Sequence, residues 1–219
     1  MKAVFRIILI IVIAAGGVIA WRVTSGRQTI QKLLTENKEL QKAITNLNAE
    51  QQIGYAKVVD QKTREGRLFT RLLFVQTAAE DSSDPILKKE FEIEGDIIHF
   101  DALIIRFGNQ LVMDGSQRAI CLWRRVYGET MKPEDGFIIQ QEGTEPAQYA
   151  KLCRAFSIQD RGLFWQEIWA LSNDPKRLET LGVSAIYGNV VYRKLRPGLI
   201  YVFKLSGTGT LYPEVIPDL

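Results

Sequence analysis

A chain that opens on an unbroken apolar run and passes directly into a heptad repeat has few choices for its first segment. Positions 3–21 are apolar apart from Arg6, with Lys2 ahead of the run and Trp21 closing it. A helix rising about 1.5 Å per residue needs roughly 20 residues to cross the hydrocarbon core of a bilayer. Arg6 stands where its long side chain can reach head groups, and Trp21 where an indole favours the interface. The expectation is a transmembrane signal-anchor over 1–22. The competing expectation is a cleaved signal peptide, with Val18, Ile19 and Ala20 before the cut. The retained anchor is favoured, because helical patterning resumes after only Thr24, Ser25 and Gly26. No cysteine directly follows the run, so a lipoprotein anchor is not indicated. Lys2, Arg6 and the short tail predict a cytoplasmic N-terminus at the inner membrane and an extracytoplasmic, periplasmic bulk, although Arg22, Arg27 and Lys32 weigh on the far side.

The repeat follows at once. With Ile30, Asn37, Ile44 and Gln51 at position a of a heptad, Leu33, Leu40 and Leu47 all fall at d. Isoleucine at a with leucine at d favours two parallel strands, and one buried asparagine fixes register at some cost in stability. The expectation is a coiled-coil stalk over 23–52 that forms a homodimer through Ile30, Leu33, Asn37, Leu40, Ile44 and Leu47. The alternative is a single amphipathic helix, with Leu34 on its apolar face, lying on its own domain or on the membrane.

From 53 onward the period changes to two. Residues 55–59 and 68–75 read as strands across a turn at Thr63, Arg64, Glu65 and Gly66, and 77–85 reads as a polar loop. Glu90, Glu92 and Glu94 alternate with Phe91 and Ile93. Residues 97–107 are apolar on both faces, the pattern of a central strand. Residues 119–127 and 137–140 continue the strands, and 146–156 and the stretch after Asp160 have helical spacing. Asp174 before Pro175 is a helix start. Residues 185–195 and 199–205 read as a hairpin across Arg196, Pro197 and Gly198, and the tail from Thr208 reads as an edge strand. The fold class expected is α+β: an N-terminal transmembrane helix and a coiled-coil helix, then an extracytoplasmic domain over 53–219 with a mainly antiparallel sheet and a helical insertion.

Charge is unevenly spread. The chain carries 28 basic and 25 acidic side chains, a net charge of +3. Seven basic residues against Glu36, Glu39 and Glu50 stand before 53, which leaves 21 against 22 beyond. The basic balance therefore sits beside the membrane, where it meets lipid head groups, and no nucleic-acid partner is expected. Cys121 and Cys153 are an even pair that an oxidising compartment could bond, but two buried thiols are favoured.

No catalytic signature emerges, and no enzyme, cofactor or metal is expected. His99 is the only histidine; with Asp96 and Asp101 it makes D-x-x-H-x-D, and in a strand His99 and Asp101 share a face. No second histidine or cysteine cluster stands ready to complete a zinc site. The three glutamates read as the solvated side of a strand and a guard against edge pairing. Gly207, Thr208 and Gly209 are too short for a phosphate loop. Arg124 and Arg125, beside Trp123 and Tyr127, are candidates to bind an anion or a partner or to stack on a sugar or base, but the commoner use of such a pair has one arginine facing solvent and the other bridging to a carboxylate. Trp165 and Trp169 lie one helical turn apart and serve either as core or as a partner-binding patch. By architecture alone, the layout matches single-span envelope scaffolds. The expected function is a dimeric interaction module presenting its domain to envelope partners; the alternative is a tethered ligand-binding or hydrolytic domain.

Overall fold

The computed structural model describes residues 31–78, 82–115, 118–141, 143, 165, 168, 174–180 and 183–218. The chain divides into two compact units, Met1–Ile44 and Thr45–Leu219. The apolar run, Ile30, Cys153 and Trp169 lie outside the described residues, as do the two helices expected before residue 160 and after it, except at Trp165 and Ile168. Among the described residues no helix is long and apolar enough to cross a membrane.

A helix, α1, covers 31–47. In the first unit its Leu33, Leu34, Leu40 and Ile44 are each 57–60% exposed, and Asn37 is exposed as well. Lys32 and Glu36 face each other one turn apart at 3.8 Å, the spacing that lends a helix modest support.

In the second unit helix gives way to strand earlier than the heptad reading expects. Gln51, placed at position a of the stalk, is buried in β1 and pairs with Leu205. The exit is stitched down: the Ala49 amide donates to the Asn46 carbonyl and the Gly207 amide to the Ala49 carbonyl, while the Asn46 amide group donates to the Met113 carbonyl. A Cβ on Gly207 would lie 2.7 Å from the Asn46 carbonyl oxygen, so only glycine permits this approach. Leu47, a predicted dimer-seam residue, is half-buried against the domain's own core.

Among the described residues nine strands follow: β1 (Glu50–Arg64), β2 (Arg67–Thr77), β3 (Pro85–Glu94), β4 (Ile97–Phe107), β5 (Ile120–Gly128), β6 (Phe137–Ile138), β7 (Val183–Lys194), β8 (Leu199–Ser206) and β9 (Leu211–Pro217). They form two sheets, β3-β2-β1-β8-β9 and β6-β5-β4-β7. All the pairings are antiparallel. The α+β, mainly antiparallel expectation holds, with two sheets in place of one.

Local chemistry explains much of this. Glu65 and Gly66, both at positive φ, close β1 onto β2 as a two-residue hairpin. β3 is an edge strand; its outward Glu92 and Glu94 meet Arg64 and Arg67. Its Lys89 reaches across to the carbonyls of Ile138 and Ile139, a charge that blunts the edge. β9 is the other edge, and it tolerates Pro213 and Pro217 because an edge strand has amides to spare. Asp174 accepts a hydrogen bond from the Arg177 amide and starts helix α3 (Pro175–Thr180) as its sequence signal predicts.

One connection corrects the sequence reading. β7 and β8 are not a hairpin: β7 pairs with β4, whereas β8 pairs with β1 and β9. Arg196, Pro197 and Gly198 carry the chain from one sheet to the other, as Gly95 and Asp96 do between β3 and β4. The two corners are tied together. The Leu195 amide donates to the Asp96 carbonyl at 2.7 Å, Lys194 meets the Asp96 carboxylate at 3.2 Å, and the Tyr201 hydroxyl takes the Arg196 amide and donates to the Lys194 carbonyl.

Between the sheets lies the main core, with Phe74, Phe100, Trp123 and Phe203 fully buried at its centre. Their ring centroids lie 4.8–6.1 Å apart, the range of favourable aromatic packing. The outer face of the second sheet carries another cluster. There Leu103, Ile105, Phe107, Ile120 and Leu122 pack with Trp165, Ile168, helix α2 (Asn109–Met113) and α3. The order is sheet, sheet, helices. Phe203→Ala should lower unfolding stability by about 3–5 kcal/mol, whereas Val59→Ala, on an exposed side chain, should stay within about 0.5. Urea denaturation of the two variants measures the difference.

Candidate functional site

Among the described residues, the helical layer packs on Leu103, Ile105 and Phe107, at one end of the second sheet's outer face. Beyond Leu103 the same face of β4 carries Asp101 and then His99, so these two do share a side as the alternation requires. Asp96, the third member of D-x-x-H-x-D, sits in the corner and pairs with Lys194, so the three do not converge. Among the described residues no three His, Cys, Asp or Glu side chains come together as a metal site.

A β-bulge builds the centre of this face. In the β4–β5 register Asp101 faces Arg125 but Ala102 faces Trp123, which leaves Arg124 as the extra residue. A bulge bends a strand and re-aims its side chains. Trp123 and Val126 both enter the main core, and both arginines reach Asp101. Arg124 donates to its Oδ1 at 2.5 Å, and Arg125 Nε stands 3.8 Å from Oδ2. Asp101 is only 4% exposed. A carboxylate that deep persists because charged donors surround it.

Neighbouring elements fix both arginines. A Cβ on Gly188 would come 3.1 Å from Arg124 Nη2, so the missing side chain in β7 leaves room for the guanidinium. Arg125 donates from Nη1 to the Pro133 carbonyl, in the 3₁₀ turn Pro133–Asp135. Beside them opens a cavity of about 270 Å³ lined by Arg124, Arg125, Ile138, Gln140 and Gln141. Gln140 is oriented by accepting the Trp123 amide at 3.0 Å.

One residue pair further along, His99 stacks parallel on Tyr127 at 4.9 Å and lies 5.6 Å from Tyr192. Burial and the Asp101 charge raise the Tyr127 hydroxyl above its ordinary pKa, only partly offset by the two arginines. Burial likewise raises Tyr187, whose hydroxyl donates to the Gly209 carbonyl.

Of the residues singled out by sequence, the structure thus brings together Arg124, Arg125 and Asp101, with His99 next along the same face of β4. Trp165 is 2% exposed and belongs to the outer-face core, the packing alternative of its two expected uses. Cys121 is buried in β5, and burial pushes its thiol well up. Gly207, Thr208 and Gly209 form the β8–β9 turn. Sequence reasoning missed Tyr192, Gly188, Ile138 and Gln140. It also missed the bulge, which left a signal: inward apolar positions run 121, 123, then 126, an interval of three where a regular strand has two.

These features define an α+β protein in which an antiparallel two-sheet sandwich carries helices on part of one face. Comparison with known families, curated proteins and solved structures gives no match.

Asp101→Asn removes the carboxylate both arginines share and should cost about 1–3 kcal/mol, read by thermal or urea unfolding. Tyr127 and Tyr187 should ionise later than the free phenol value of about 10. A pKa raised in the folded state gives stability that is complete below the unfolded value and is lost as pH rises through the folded one. Phenolate absorbance should therefore lag in the native chain, and Tyr127→Phe should reduce the lag.

Proposed function

We propose that this chain is a single-pass, membrane-anchored interaction module of the cell envelope: a dimer through its stalk that presents the sandwich domain to protein partners outside the inner membrane. The observation that carries this reading is the helix over 31–47, whose Leu33, Leu40 and Ile44 lie exposed around Asn37. A second copy covers such a face, and the a/d arrangement selects a parallel pair. The apolar run at positions 3–21, with Arg6 and Trp21 at its ends, supports the anchor. An anchor confines stalks to one plane and raises their effective concentration. Because Leu47 packs on the domain and Gln51 lies in β1, the seam proposed here runs from Ile30 through Ile44.

The alternative, a tethered ligand-binding or hydrolytic domain, draws on a deep pocket that holds His99, Arg124 or Arg125 with convergent carboxylates. Arg124 and Arg125 do line a cavity, but it measures only about 270 Å³, the carboxylate they share, Asp101, is 4% exposed, and His99 stacks on Tyr127 outside the lining.

Sedimentation of the full chain in non-ionic detergent tests the proposal. The unaltered chain should be dimeric, and Leu40→Asp monomeric, because two carboxylates would enter the dry seam. Asn37→Ile should raise dimer stability and admit higher oligomers. A monomeric parent chain removes the dimer, and a mature N-terminus at Trp21 removes the anchor.

A further inference from the structure

We propose that β7 is a pairing edge, and that its open part, residues 188–194, joins the same strand of a second copy of this chain as an antiparallel ladder. The inference rests on the dimer reading above and adds a second contact between the copies.

The hydrogen-bond register shows what each edge offers. In an antiparallel ladder alternate residues turn their amides to the neighbour, and the rest turn theirs away. The Leu195 amide bonds the Asp96 carbonyl, in register with the pairing of β4 and β7. Counted back from Leu195, the amides of Gly188, Val190 and Tyr192 point away from β4. The Asp218 amide bonds the Gly198 carbonyl, in register with β8 and β9, so the outward positions of β9 are Leu211, Pro213, Val215 and Pro217. The two prolines there have no amide to offer. β3 is charged at Lys88, Lys89, Glu90, Glu92 and Glu94, and β6 is only Phe137 and Ile138. Proline, charge and shortness are the usual guards of an edge. β7 has none of them: no charge and no proline stand between Val183 and Tyr192, and its register on β4 is unbroken from Lys194 back to Ala185. Among the described residues no strand lies on its outer side. Gly188 is exposed, and Val190 and Tyr192 are 43% and 60% exposed.

The residues of this edge complement themselves. Outward positions pair with outward positions, so a two-fold axis at Val190 sets Val190 opposite its own copy and Tyr192 opposite the partner's Gly188. A tyrosine laid over an edge glycine covers backbone that the glycine leaves bare. The symmetry makes that contact twice. It also sets Arg193 opposite the partner's Tyr187 and Lys194 opposite the partner's Ile186, so no like charges meet. An axis at 193 or 194 would set arginine on arginine or lysine on lysine. So short a ladder is weak in free solution; the stalk and anchor raise the effective concentration of the two edges.

The test is cross-linking of the full chain in non-ionic detergent by copper phenanthroline, in a Cys153→Ser background. Val190→Cys should form a covalent dimer, because the paired Cα atoms stand about 5.5 Å apart, within disulfide reach. Lys194→Cys and Val59→Cys should react at least about tenfold more slowly. The first lies about eight residue steps of roughly 3.4 Å from its own copy, and the second is on the other sheet. Hydrogen exchange gives a second reading that needs no cysteine. The amides of 188, 190 and 192 should exchange about tenfold or more faster in Val190→Lys, which sets two ammonium groups face to face, than in the unaltered chain. Equal cross-linking at the three positions overturns the proposal, and so does equal exchange in the two chains. Open amides with no cross-link would leave the edge to a foreign strand and exclude the second copy. A chain that sediments as a dimer but fails both tests condemns the edge pairing alone. Cross-linking at Val190→Cys in a chain that otherwise sediments as a monomer condemns the stalk reading alone.

Discussion

Strand β4 is the wall on which the domain depends. Its Ile98, Phe100, Ala102 and Ile104 belong to the core between the sheets, and its Leu103, Ile105 and Phe107 to the core under the helices. A strand apolar on both faces must be covered on both, and this forces a third layer onto what would otherwise be a plain sandwich. At Asp101 and His99 the outward pattern becomes polar, and the helical contacts found among the described residues stay on the 103–107 end of the strand. The candidate site thus lies where the burial demand of the central strand ends. The two arginines then make it tolerable for Asp101 to remain almost wholly out of water.

How much of this was legible depends on the range over which each signal acts. The β1–β2 turn, the two-faced β4, the edge character of β3 and the Asp174 cap are written in adjacent residues, and they hold. Arg196, Pro197 and Gly198 also specify a sharp change of direction, and the chain makes one. Turn chemistry does not say which strand lies beside the outgoing segment, so a sheet-to-sheet corner and a hairpin look alike. Gln51 fits a heptad by spacing, but the carbonyls and amides around Asn46, Ala49 and Gly207, far apart in sequence, end the helix first.

The site shows the same division. Arg124 and Arg125 are conspicuous as a pair. Their convergence on one carboxylate draws on the extra residue in β5, the missing side chain at Gly188 in β7 and a carbonyl from the Pro133 turn, three contributions from separate parts of the chain. Trp165 attracts notice as an aromatic, yet its neighbours are the outward side chains of strands long before and after it. Side-chain type carries the chemistry; topology decides whether that chemistry faces water.

The entry of the chain into the sandwich has a mechanical consequence. The segment leaving α1 becomes β1, an interior strand of its sheet, hydrogen-bonded to β2 over Gly54–Arg64 and to β8 over Glu50–Lys57. Tension arriving through the preceding helix pulls along this strand, across its hydrogen bonds and not in line with them. The two ladders then share the load and must yield together, whereas an edge strand peeled from its neighbour gives way one bond at a time. A pull on the start of β1 is thus met by two ladders at once.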